Sequence, residues 1–135
     1  MKIVVDANII LDFLKESSDA RKLFSLICED KAEAYATAGS IADIYYITTK
    51  KLGENSSREI IKKLLKIIGI ISISGDDCAD ALNLPISDLE DALVVACASK
   101  ENIDYIVTDD NDFLHSTAAG INVISLSNFL SLNQQ

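Results

Sequence analysis

The sequence predicts an α/β fold in which a central parallel sheet of about five strands lies between two layers of helices. Three observations carry that prediction. Short β-rich blocks alternate with helical periodicities along the chain, the pattern of repeated strand–helix–strand crossovers. The strand blocks are apolar without interruption, so both faces of the sheet are covered. No linker, repeat or low-complexity tract breaks the alternation. A chain of 135 residues suits a single domain spanning 1–135, long enough to bury roughly two-thirds of its unfolded surface.

Taken in order, "KIVV" (2–5) is a short β-branched first strand, and residues 7–14 read as a helix. "SSDARKLFSLICED" opens on a serine cap and sets Leu23, Phe24, Ile27 and Cys28 on one side of a second helix. "AEAYAT" (32–37) is the second strand. Ser40 is positioned to cap a helix through Lys51 that Gly53 ends. Ser56 or Ser57 caps the next, to about Ile68, with Ile60, Ile61, Leu64, Leu65 and Ile68 as its buried stripe. "IISIS" (70–74) is a strand, and a short helix follows near 76–83. Pro85 breaks it, and Ser87 opens a helix that ends near Lys100. "YIVT" (105–108) and "NVIS" (122–125) are the last strands, and a short helix from about Ser127 closes the chain.

Composition narrows the function classes. Apolar residues make up 49%, ordinary for a packed domain, and the net charge is −9. That charge tells against a protein coating nucleic acid by charge alone, although not against an enzyme that meets nucleic acid through bound cations. No apolar run approaches the ~20 residues of a membrane-spanning helix. The start, "MKIVVDANII", carries an acid inside its apolar stretch, unlike a signal peptide. These features imply a soluble, cytoplasmic protein with no membrane partner. Cys28, Cys78 and Cys97 are scattered and odd in number, which reads as small buried hydrophobes rather than a disulfide or thiolate framework. His115 is the only histidine, so a zinc site or a serine-type triad has little to work with.

The chemistry-bearing feature is acidic. In "IVTDDNDF" (106–113) a strand runs straight into Asp109, Asp110 and Asp112, three like charges in four positions. Asp6 likewise follows the first strand. In open parallel sheets ligands bind beyond the carboxyl ends of the strands, where strand order reverses. If these two strands are neighbours there, Asp6 and the 109–112 cluster meet in one crevice. Asp43 joins them from the first turn or so of the helix after "AEAYAT", among apolar and aromatic neighbours. Asp91, just inside a helix start, joins from "DLEDALVVACA", with Asp88 one turn earlier. Each acid has an ordinary explanation as a cap, turn former or helix-dipole partner. Together, four carboxylates in a partly dry cleft either protonate or bind a cation. An all-oxygen set without His or Cys selects Mg²⁺ or Mn²⁺.

The ordered motifs "IVVDAN", "SIADIYYI", "DLEDALVVACA" and "IVTDDNDF" resemble the PIN domain family of metal-dependent ribonucleases, which includes the VapC toxins of toxin–antitoxin pairs. The resemblance spans nearly the whole chain. It implies a three-layer α/β/α sandwich and Mg²⁺- or Mn²⁺-dependent cleavage of single-stranded or structured RNA. It further implies a homodimer and, for a toxin, an antitoxin partner. By that likeness Asp6, Asp43, Asp91 and Asp110 are the catalytic, metal-binding acids, with Asp112 as a nearby helper. Asn8 accompanies Asp6, Thr108 supplies a hydroxyl, and Asp88 stands behind Asp91. Many family members carry Glu where Asp43 stands; the shorter side chain implies a ligand that reaches the metal through water. Some subgroups share Asp there, together with a D-x-E-D-A stretch.

Arg58, Lys62 and Lys66 recur every four residues, and Lys50 and Lys51 end the preceding helix. They read either as a solvated helix face or as a ridge that holds RNA phosphates beside the acids. Tyr35, Tyr45 and Tyr46 are candidates for base stacking, against core packing for at least two of them. Two other functions compete. A haloacid-dehalogenase-like phosphatase also opens with an Asp after strand one, but needs a second Asp where Asn8 stands. A non-catalytic protein-binding module would not need acids in all four motifs.

Overall fold

The computed structural model describes residues 1–116 and 121–133. Five strands form one sheet: β1 (Lys2–Val5), β2 (Glu33–Thr37), β3 (Gly69–Ile71), β4 (Tyr105–Val107) and β5 (Asn122–Ile124). All pairings are parallel, in the order β3-β2-β1-β4-β5. The chain starts at the centre, steps outward to β3, then returns to the other side of β1. Strand order therefore reverses between β1 and β4, where Val4 pairs with Ile106 and Val5 with Val107.

Eight helices cover the sheet: α1 (Ala7–Leu14), α2 (Ser18–Cys28), α3 (Ala38–Leu52), α4 (Glu54–Leu64), α5 (Gly75–Leu82), α6 (Leu89–Ser99), α7 (Asn111–Leu114) and α8 (Leu126–Leu132), counted among the described residues. The period-two geometry of β1 divides them into layers. Ile3 and Val5 face one core with Ile9, Leu23, Phe24, Ile44, Leu64 and Phe129. Val4 faces the other core, with Val94, Val95, Cys97, Ile106 and Phe113. The architecture is thus the predicted three-layer α/β/α sandwich. Among the described residues no helix is long and apolar enough to cross a membrane.

Several boundaries differ from the sequence expectation, and capping explains most of them. Thr37, not Ser40, caps α3: its hydroxyl accepts from the Ser40 amide at 3.1 Å, so the helix starts three residues early. Asp43 consequently lies in the second turn. Gly53, not Ser56 or Ser57, opens α4; its φ of +86° suits glycine, and its N–H closes α3 on the Thr49 carbonyl at 2.9 Å. Ser57 is instead buried inside α4 against the Thr48 hydroxyl, joining α3 to α4. The helix ends at Leu64, so Leu65 turns outward while Leu64 and Ile68 stay buried, and Ile60 and Ile61 are half-buried. Asp88, not Ser87, caps α6, accepting from the Asp91 amide at 3.1 Å, and Ser125 caps α8 at Leu126 rather than near Ser127. Ser17 stands at the N-cap of α2 without a side-chain cap bond. The last three strands are shorter than expected and end at Ile71, Val107 and Ile124. Only Cys97 fits the buried-cysteine expectation; Cys28 and Cys78 are exposed.

Candidate active site

The carboxyl ends of β1 and β4 lie side by side, and the backbone continues that pairing one step further: the Asp6 N–H donates to the Val107 carbonyl at 3.0 Å. Asp6 thereby stands next to Thr108, which is fully buried. The Thr108 hydroxyl donates to Asp6 Oδ2 at 2.7 Å. It accepts from Asn8 Nδ2 at 3.2 Å and from the Asp110 amide at 3.1 Å. Asn8 Nδ2 also reaches Asp6 Oδ2 at 3.3 Å, and the Ala7 amide donates to Asp6 Oδ1 at 2.9 Å. A fixed network therefore ties the two strand ends together.

The crowded acids after β4 diverge. Asp110 caps the short helix α7, its Oδ1 accepting from the Asp112 and Phe113 amides at 2.9 and 3.4 Å, and it lines the cleft beside Asp6. Asp109 turns away: its Oδ1 accepts from the Leu126 amide at 3.0 Å, holding the start of α8. Asp112 is exposed and lies outside the cleft; it borders a neighbouring recess with Asp88, Asp91 and His115.

The cleft, of about 680 Å³, brings together Asp6, Asp43, Asp91 and Asp110, and also Asn8, Asp88 and Glu90. Asp43 reaches it from α3, half-buried; Asp91 reaches it from the first turn of α6 and is only 8% exposed. The electrostatics register this convergence. Burial raises the Asp91 pKa to about 7, with Asp88, Asp6, Asp110 and Glu90 adding like-charge repulsion. Burial also raises Asp6, further pushed up by Asp110 and Asp43, while the bonds from Thr108 and Ala7 pull the other way. Glu90 is raised chiefly by the charge of Asp43, then by burial and Asp88. Glu90 went unassigned in the sequence reading because a first-turn acid already has the helix dipole as a sufficient reason; its place two residues after the cap Asp88 was the available signal.

These groups form an oxygen-only, mutually repelling donor set, the kind that suits a hard divalent cation. Among the described residues no three of them already converge as ligands around one point. A cation would have to draw the carboxylates inward against their repulsion.

The basic ridge is partly committed. Arg58 pairs with Glu54 at 2.9 Å and faces the Tyr45 ring at 5.4 Å; Lys62 pairs with Glu59 at 3.3 Å. Lys51 and Lys66 are exposed. Lys50 lies over the Tyr46 ring, 4.2 Å from its centroid.

Comparisons with known proteins agree with this architecture. The PIN domain family model matches residues 2–112. No curated relative matches the sequence. Among solved structures, a chain of the DNA-bound VapBC2 complex of Rickettsia felis superposes with a TM-score of 0.74 at 16% identity, over 93% of this chain and 98% of that one. A chain of a Klebsiella pneumoniae toxin–antitoxin complex gives 0.67 at 21%, over 92% and 97%. The Mycobacterium tuberculosis VapC20, described as a toxin that cleaves the sarcin–ricin loop, gives 0.65 at 13%, over 82% and 92%.

Proposed function

The chain belongs to the PIN domain family, and on that premise we propose that it is a Mg²⁺- or Mn²⁺-dependent endoribonuclease of the cytoplasm. The observation that carries the reading is the convergence of Asp6, Asp43, Asp91 and Asp110 on one cleft at the point where strand order reverses. A divalent cation held there would lower the pKa of a bound water and stabilise charge on the phosphoryl group. Asp6, Asp43, Asp91 and Asp110 would hold it, with Asp112 in support from the adjoining recess.

The remaining roles belong to the chain itself. Thr108 and Asn8 fix the rotamer of Asp6 and keep one of its oxygens polarised. Asp88 orders the first turn of α6 and so aims Asp91. Burial and the neighbouring acids raise the Asp91 carboxyl to about 7; a cation held in the cleft would favour its ionised form. Lys50, Lys51, Arg58, Lys62 and Lys66 are the candidate contacts to RNA phosphates, at the far end of α3, along α4 and just past its end. As a toxin of a toxin–antitoxin pair, the protein would take an antitoxin as partner; the complexes among its structural neighbours support that role.

The phosphatase alternative loses its footing at position 8, where Asn8 donates to Asp6 and Thr108 instead of supplying a second acid. The test is RNA cleavage by the purified protein with Mn²⁺ and with EDTA. Cleavage with Mn²⁺ that EDTA stops is expected. Turnover of para-nitrophenyl phosphate without RNA cleavage would overturn the reading.

A further inference from the structure

Tyr46 is the only aromatic side chain lining the cleft among the described residues, and it is 59% exposed. On α3 it shares a face with Asp43 and Lys50, at spacings of three and four residues, and the adjacent Ile47 also lines the cleft. The other two candidate tyrosines are engaged elsewhere: Tyr35 donates to Glu33, and Tyr45 faces Arg58. Tyr46 thus presents a ring face at the mouth of an acidic cleft, with Leu11 and Ile47 also on the cleft wall. The cation over its ring is Lys50, 4.2 Å from the centroid, which makes no ion pair among the described residues.

An acidic cleft in a chain of net charge −9 cannot gather a polyanion by long-range attraction. Stacking on an aromatic face is insensitive to that repulsion and accepts any base. It does require the base to be unpaired, because bases inside a duplex already stack on one another. Resting on the ribonuclease reading, we propose that Tyr46 and Lys50 form a nucleotide subsite that selects single-stranded RNA. An unpaired base stacks on the Tyr46 ring, and the Lys50 ammonium moves from the ring to the neighbouring phosphate. The subsite then holds the strand beside Asp43, so that the backbone enters the acids from the α3 side.

The experiment combines binding and cleavage. Binding of a labelled short oligoadenylate is read by fluorescence anisotropy with Mn²⁺ in an Asp110→Asn background, and steady-state cleavage is read in the otherwise intact protein. Tyr46→Ala should weaken single-strand binding on the order of tenfold. It should also raise KM far more than it lowers kcat, and Tyr46→Phe should recover most of the affinity. Lys50→Ala should flatten the dependence of log affinity on log salt by about 0.7, the loss of one phosphate contact on a single strand. A duplex of mixed sequence should bind more weakly and ignore Tyr46→Ala. Unchanged binding and KM in Tyr46→Ala, beside an active wild type, would overturn the subsite while leaving the ribonuclease reading intact, and would leave that face to a protein partner. A fall in kcat alone, or a Phe variant as weak as Ala, would also overturn it. A wild type that neither cleaves nor binds RNA would overturn both.

Discussion

Asp91→Asn should stabilise the metal-free protein while destroying its activity. Asp91 is 8% exposed, and its carboxyl is raised from 3.8 to about 7 by burial and by Asp88, Asp6, Asp110 and Glu90. The folded state therefore holds a proton that the unfolded chain has already released. Its contribution to stability is fully present below pH ~3.8 and is lost as the pH rises through about 7. Relative to a group that never ionises, the penalty above pH 7 is at most roughly 4 kcal/mol, falling below about 1 kcal/mol near pH 4. An amide of the same shape carries no such charge. Without divalent ions, Asp91→Asn should unfold at a higher urea concentration than wild type at pH 8. The two curves should approach each other toward pH 4, where circular dichroism still reports folded protein. An Asn variant less stable than wild type at pH 8, or a difference that ignores pH, would refute the claim that Asp91 is a buried, repelled carboxylate.

Three further outcomes follow from the same geometry. Asp110→Asn should lose nearly all cleavage at saturating Mn²⁺ and Asp112→Asn part of it. Asp109→Asn should keep most, since an amide oxygen still accepts from the Leu126 amide; a dead Asp109→Asn beside an active Asp110→Asn would reverse the assignment. Mg²⁺ or Mn²⁺ should raise the melting temperature by relieving carboxylate repulsion, with binding at a hundred times the dissociation constant adding about 2.7 kcal/mol of stability; no shift at millimolar metal would mean the acids do not form one site. The apolar surface of the helices across 40–68 should mediate a homodimer. Leu52 and Leu65 are exposed there, so light scattering should report a dimer that Leu52→Glu or Leu65→Glu converts to monomer, and a monomeric wild type at micromolar concentration would exclude it.

The sheet and the identity of its cleft were legible because their signals are dense. Uninterrupted apolar strands ending in Asp6 and Asp109–Asp110 mark both the layers and the end of the sheet that matters. The details that escaped depend on competition between equivalent local signals. Thr37, Ser40, Ser56 and Ser57 are all competent caps, and only the tertiary structure decides that Ser57 is better used against Thr48 than at a helix start. Helix α7 is too short to show a period; it exists because Asp110 accepts from two amides of a single turn. The outward turn of Leu65 and the open position of Tyr46 were likewise invisible, since apolar residues at helical spacing read the same whether or not anything covers them.

The most direct test of the central claim is the effect of Asp6→Asn, Asp91→Asn and Asp110→Asn on Mn²⁺-dependent RNA cleavage, with circular dichroism confirming that each variant is folded. If one shared cation site performs the chemistry, each single substitution abolishes cleavage although the three residues come from three separate segments of the chain. Wild-type rates in two of the three folded variants would contradict it.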